Sequence, residues 1–294
     1  MRARVRGYAP WQPKPDTEAV LRASLAVLDE YQQHLPMTLR QVFYRLVGTE
    51  VIGKTEADYA RLCEMMNRAR RAGLVPWDVI RDDGADIDAP TGYRSPEQFI
   101  AEALDADYYR RRPREAQPLN VLVLTEAAGM LPMVARAVRD LGASVASSGG
   151  FDSVTFKRSL AERARKESLA ILHVGDHDPS GVHVYSSLVE DVSAFAIGLP
   201  GRIEFDRVAV LPSHIEQYAL PTAPPKKTDR RSFDGDTVQA EALSPDVLVS
   251  LVRQAVIERT DMAVLADVRR LEALERDRIE QVFAVARAAL DGAT

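Results

Sequence analysis

Three carboxylates and one tyrosine are the residues of this 294-residue chain whose types and spacing can do chemistry together. Asp176 and Asp178 stand two apart in L-A-I-L-H-V-G-D-H-D-P-S-G, Leu169–Gly181, directly after a short apolar run. Acids crowded this closely repel unless a cation neutralises them, and an oxygen-only set suits Mg²⁺. Glu126 follows a second apolar run, Asn120–Thr125, with Gly129 three residues on. A divalent cation held by such carboxylates stabilises charge on a phosphodiester. Tyr44 lies one helical turn after Arg40. A phenol with its usual pKa near ~10 needs help losing its proton before it can attack, and an arginine beside it can stabilise phenolate or contact a phosphate. Each feature has a plain alternative. The aspartates also suit an Asx-rich turn leaving a strand, and Tyr44 with Arg40 also suits a satisfied contact at the edge of a buried face.

The elements that must position these groups follow from pattern. Residues 1–15 read as a basic arm, with Arg2, Arg4, Arg6 and Lys14 and no acid. A helix is expected from about Asp16 to His34, with Val20, Leu21, Leu25 and Leu28 at helical spacing. Thr38 with Gln41 makes a capping box for the next helix, whose stripe is Leu39, Val42, Phe43, Leu46 and Val47. Thr55 with Asp58 starts a third, whose inner face is Leu62, Met65, Met66 and Ala69. Its outer face carries Arg61, Arg68 and Arg71, which suits a helix laid on DNA and equally a solvated face. Val75–Arg81, Asp83-Gly84 and a return segment read as a hairpin. Three helices and a hairpin are the plan of a winged helix, although this wing is acidic. A short helix around Glu97–Tyr108 precedes a boundary near Pro118.

From Asn120 strands and helices alternate: strands at Asn120–Thr125, Ser144–Ser147, Leu169–Gly175 and Arg207–Leu211, with helices at about Gly129–Leu141, Ser153–Lys166 and Val182–Ile197. Residues 212–240 read as mostly loop. Ser244-Pro245-Asp246 starts the first of two closing helices, about Val247–Arg259 and Met262–Leu290. In a parallel sheet all strand carboxyl ends share one edge, so Glu126, Asp176 and Asp178 can converge there. The expected fold class is α/β: a winged-helix-like unit at 16–118, then a Rossmann-like, mainly parallel sheet with C-terminal helices at 119–294.

Composition sets limits. With 46% hydrophobic and 28% charged residues the chain is an ordinary globular one, and no apolar run has a membrane span's length. The basic N-terminus lacks the apolar segment of a secretory signal, so an intracellular, cytoplasmic protein is expected. One cysteine, Cys63, excludes an internal disulfide framework and a cysteine-based zinc site. The net charge of −5 argues against a general nucleic-acid binder. It is unevenly placed, however: residues 1–119 hold 18 Lys and Arg against 18 Asp and Glu. Arg110–Arg114, R-R-R-P-R, is a local basic patch that permits phosphate contacts. His173, His177 and His183 read as structural, Glu241 as solvated with a further acid of the site as its second reading, and Lys226-Lys227 as loop charges that also suit phosphate contact.

Glu-x-x-Gly after one strand and Asp-x-Asp-Pro-x-Gly after another resemble the Toprim domain of topoisomerases, primases and some nucleases. Arg-x-x-Phe-Tyr at Arg40–Tyr44, in a winged-helix-like unit before it, resembles the A subunit of topoisomerase VI and the related meiotic double-strand-break transesterase. The resemblance covers about residues 16–245. It implies that Tyr44 is the nucleophile and that Glu126, Asp176 and Asp178 hold Mg²⁺. It also implies a homodimer on double-stranded DNA in which the tyrosine of one protomer works with the metal of the other, the 5′ ends staying attached. Strand passage would call for a separate B-type ATPase subunit. Two other classes stay open: a Toprim nuclease that hydrolyses DNA without a covalent intermediate, and a non-catalytic DNA-binding protein. A sugar-nucleotide enzyme using Asp-x-Asp for its metal would leave the N-terminal half unexplained.

Overall fold

The computed structural model describes residues 8–81, 95–147, 154–225 and 233–291. Arg2, Arg4, Arg6, the return segment after Arg81 and Lys226-Lys227 lie outside them. The first helix, α1, is Pro15–Glu30, and a 3-10 turn at Gln32–His34 follows it. The two-residue strand β1, Met37–Thr38, runs straight into α2, Leu39–Gly48. The Thr38 hydroxyl accepts from the Gln41 N–H at 3.1 Å, and the Gln41 side chain accepts from the Thr38 N–H at 2.9 Å. This reciprocal pair satisfies two donors that a helix start otherwise orphans. Thr55 likewise accepts from the Asp58 N–H at 3.1 Å and starts α3, Glu56–Arg71.

The stretch expected as the first arm of a hairpin is different. Trp77–Val79 forms a 3-10 turn after Pro76, and only Ile80–Arg81 (β2) is extended, pairing in parallel with β1. Pro76 has no N–H for a ladder and pre-sets the turn. After α4, Pro96–Ala103, the basic run R-R-R-P-R is partly spent on structure. Arg114 is buried and donates to the carbonyls of Leu141 (3.1 Å), Leu119 (2.5 Å) and Arg259 (2.8 Å), while Arg111 pairs with Glu275 at 2.5 Å. Burial removes Arg114 from any phosphate-binding patch.

The alternating part comprises β3 (Asn120–Thr125), α5 (Leu131–Val138), β4 (Ser144–Ser147), α6 (Val154–Arg163), β5 (Leu169–Val174), α7 (Pro179–Ala196), β6 (Ile203–Ala209), α8 (Pro212–Gln217), α9 (Pro245–Ile257) and α10 (Met262–Asp291). The four strands form one parallel sheet in the order β4-β3-β5-β6. The chain is therefore α/β, with two parallel-strand sheets among the described residues. The last strand begins at Ile203 rather than Arg207, because Ile203 and Phe205 pack on the sheet as alternate residues. Pro212 starts a short helix where loop was expected. Ser244 holds the N-cap position of α9 without a capping side-chain bond, so Pro245 is the start signal that operates.

Side chains alternate across the central strands. Leu122, Leu124, Leu169 and Ile171 pack with Leu160, Leu188 and Val192 of α6 and α7. Val121, Val123, Ala170, Leu172 and Val174 face the other way, into a cluster that also contains Val134, Leu248 and the N-terminal residues Leu28, Val42, Tyr44 and Met66. Leu172 is fully buried there. Leu172→Ala should destabilise the chain by about 2–5 kcal/mol, the cost of the lost transfer free energy plus a cavity, as read by urea titration. Among the described residues no helix is long and apolar enough to cross a membrane.

Candidate active site

Neighbouring strands bring the acids together. Thr125 stands opposite Val174 across the β3–β5 pair, so Glu126 and Gly175 leave the sheet side by side. The Glu126 carboxylate accepts from the Asp176 N–H at 2.9 Å, and Asp176 Oδ1 accepts from the Ala240 N–H at 2.8 Å. Asp178 is the N-cap of α7, its Oδ1 taking the Gly181 N–H at 2.7 Å. That helix therefore starts at Pro179, three residues before the expected Val182, with proline at its first position. The loop and the first turn of α7 each admit no side chain at one point. A Cβ on Gly175 would lie 2.7 Å from Glu126 Oε2, and one on Gly181 would lie 2.3 Å from the Asp176 carbonyl oxygen. Arg207 of β6 donates to the carbonyls of Asp176 and Gly181.

Crowding appears in the proton affinities. Burial, then Asp176, pushes the Glu126 carboxyl up to about 7. Burial also raises Asp176, with Asp178 adding to it and the Ala240 N–H opposing. Among the described residues no group of three or more His, Cys, Asp and Glu side chains forms a ready metal cage. The donor set still fits Mg²⁺, which is commonly bound through one or two carboxylates, keeps several waters and takes further oxygens from substrate phosphate. The carboxylates are oxygen-only and mutually repelling, so a cation would relieve them.

The Glu126 shift has a testable sign. A carboxyl whose folded value is raised from 4.5 to about 7 holds its proton in the folded state across that interval. Its contribution to stability is full below the unfolded value and is lost as pH rises toward about 7. Burial lowers His173, His177 and His214, which act in the opposite sense. The measurement is therefore a difference: in chelator, Glu126→Gln should gain melting temperature over the parent chain between pH 5 and pH 8. A constant difference would refute the assignment.

Tyr44 faces this edge from α2. It is 5% exposed, and its hydroxyl donates to Gln239 Oε1 at 2.5 Å. Arg40 donates to the same oxygen at 2.7 Å, stands 3.6 Å from Glu241 and stacks on the Tyr59 ring at 4.9 Å. Burial pushes the phenol up to about 12, Arg40 pulls it down, and Asp176 and Glu241 raise it further. Lys54 lies over the Tyr44 ring at 5.8 Å and donates to the Pro221 carbonyl at 2.6 Å. A cavity of about 260 Å³ opens here, lined in part by Arg40, Tyr44, Lys54, Tyr59 and Gln239.

The structure thus brings Tyr44, Arg40, Glu126 and Asp176 to one place, with Asp178 beside them. Arg61, Arg68 and Arg71 lie apart on α3, engaged with Asp58 (2.6 Å), Glu64 (2.7 Å) and Asn67 (2.8 Å) respectively. Exposed pairs of this kind contribute little, so these arginines remain able to exchange partners. Glu241 is not solvated: it is 9% exposed and accepts from the Thr38 hydroxyl at 2.7 Å. His173 is buried, and the His177 backbone pairs with Val238. Gln239 and Lys54 are the residues that sequence reasoning missed as parts of the site, and Glu241 takes the second of its two readings, a further acid beside it. The available signal was Q-A-E-A-L itself, two polar side chains set among small apolar ones beside a capped helix.

No family model and no curated protein matches this chain.

Proposed function

We propose that the chain is a Mg²⁺-dependent DNA-cleaving enzyme that acts by tyrosine transesterification, in the manner of the topoisomerase VI A subunit. In this reading the N-terminal helices form a winged-helix-like unit and the parallel sheet a Toprim-like one. The observation that carries it is the meeting of a tyrosine–arginine pair from α2 with carboxylates at the ends of adjacent parallel strands. Glu126 and Asp176, with Asp178 beside them, would hold Mg²⁺, which when bound supplies positive charge to the phosphate and the leaving oxygen.

The chain's own residues do the rest. The Tyr44 oxygen bonds to phosphorus, and the bond from phosphorus to the 3′ oxygen breaks with its electron pair remaining on that oxygen. The phenol gives up one proton and the 3′ oxygen takes up one, so no co-reactant is consumed. Arg40, which shares the Gln239 oxygen with Tyr44, would stabilise the phenolate and steady the phosphate. Double-stranded DNA is the substrate, a homodimer the working assembly and a separate ATPase subunit the partner for strand passage.

The test is incubation with supercoiled plasmid and Mg²⁺, a detergent stop, and gels run with and without protease. Linear or nicked DNA that enters the gel only after proteolysis supports the reading. Cut DNA free of protein from the start favours a hydrolytic nuclease. That second reading has its own support, since the Tyr44 hydroxyl is already satisfied by Gln239 and burial keeps it protonated.

A further inference from the structure

We infer that Lys54 is a second cation of the cleavage chemistry, holding the scissile phosphate against Tyr44 together with Arg40 as the new bond forms. The inference deepens the function proposed above and rests on it. Both cations belong to the N-terminal helices and loops that carry the tyrosine. They therefore travel with it and act alike whichever protomer supplies the carboxylates.

The ammonium stands where such a contact is needed. Lys54 closes the loop between α2 and α3, immediately before the Thr55 cap. Its nitrogen lies 5.8 Å from the centroid of the Tyr44 ring. Arg40 reaches the hydroxyl end of the same ring through the shared Gln239 oxygen. The two cations thus approach the phenol from its face and from its tip. Both line the cavity of about 260 Å³, which has room for roughly eight waters at ~30 Å³ each, and so for a phosphate group. Among the described residues these two cations line it against a single acid, Glu56.

Charge decides the role. A phosphodiester brings one negative charge and the attacking phenolate a second. Arg40 does not balance both, because it stands 3.6 Å from Glu241 and shares its charge with that acid. Lys54 is not so committed: its hydrogen bond of 2.6 Å goes to the neutral Pro221 carbonyl. Exchanging that carbonyl for a phosphate oxygen replaces a neutral acceptor by a charged one, which makes a stronger bond. Lys54 is also half-buried, so its attraction for that charge exceeds an exposed ammonium's. No proton leaves it. The Tyr44 oxygen bonds to phosphorus, the 3′ oxygen departs with its electron pair, and the ammonium donates to a phosphate oxygen throughout.

The experiment follows covalent capture of an end-labelled duplex, containing a site that the parent chain cuts, with Mg²⁺ and saturating DNA. Lys54→Met keeps the apolar stem beside the Tyr44 ring and removes the charge. Capture should slow about 10²- to 10³-fold, the loss expected when one charge-stabilising donor is removed. Lys54→Gln, which can still donate to Pro221, should lose as much, and Lys54→Arg should stay within about tenfold of the parent chain. Melting temperature and DNA affinity should barely move, since one phosphate contact among many is lost. A second duplex, whose scissile phosphate is an uncharged methylphosphonate, separates charge from structure. On it the gap between the parent chain and Lys54→Met should shrink at least about tenfold, because one negative charge fewer needs balancing. A gap of the same size on both duplexes would make Lys54 structural and overturn the inference. Parental capture by Lys54→Met or Lys54→Gln would overturn it too. A parent chain that forms no covalent bond overturns the function itself, and the inference with it.

Discussion

A chain carrying Tyr44→Phe is expected to form no covalent bond to DNA, with protease-sensitive cleavage falling by no less than about 10⁴-fold, as when a nucleophile is removed. The fold should survive. Phenylalanine keeps the ring that packs on Phe43 at 5.4 Å, and Gln239 Oε1 keeps its bond from Arg40. The lost hydroxyl bond is worth about 1 kcal/mol, so the melting temperature should move by only a few degrees. Unchanged DNA affinity on a filter or gel-shift assay would complete the separation of chemistry from binding. Protein-free cuts that persist at the parental rate would instead make Tyr44 a packing residue and the carboxylates the whole of the catalytic apparatus.

Asp176→Asn is the second large effect. The substitution preserves an oxygen able to accept from the Ala240 N–H at 2.8 Å while deleting the charge that a divalent ion needs. Cleavage should fall by about 10²- to 10⁴-fold, and added Mg²⁺ should no longer raise the melting temperature at pH 8. Two proton affinities should fall together, because Asp176 pushes up both Glu126 and Tyr44. Relief of that repulsion should leave the metal-free variant at least as stable as the parent chain. Parental activity in Asp176→Asn would leave a non-catalytic DNA-binding role as the reading that survives.

Much of this was legible in local pattern. Thr38 and Gln41 announce α2, and the two apolar hexapeptides announce β3 and β5, because capping and burial act over a few residues. The acids could be placed at strand ends for the same reason. What local pattern did not carry was partner choice. Nothing near Tyr44 in sequence points to Gln239, 195 residues away, and nothing near Glu241 points to Thr38. A lone acid is usually solvated, yet Glu241 is buried among alanines with a hydroxyl and a guanidinium to satisfy it. The 3-10 turn and the parallel pairing found at Trp77–Arg81 were out of reach for a similar reason. A two-residue strand has no periodicity to read, and its partner β1 lies more than forty residues upstream.

The shared apolar cluster has a consequence for how such a chain can change over time. Leu28, Val42 and Met66 from the N-terminal helices lie in one continuous core with Val123, Leu172 and Leu248 from the sheet and its covering helix. The tyrosine-bearing helix is thus no exchangeable cassette. Grafting it onto another sheet, or severing the chain near Pro118, would expose apolar surface on both fragments and favour aggregation over two independent folders. Drift at α2 is accordingly coupled to drift on the sheet: a larger side chain on one layer needs a smaller one opposite, so the two halves are constrained to evolve as one piece.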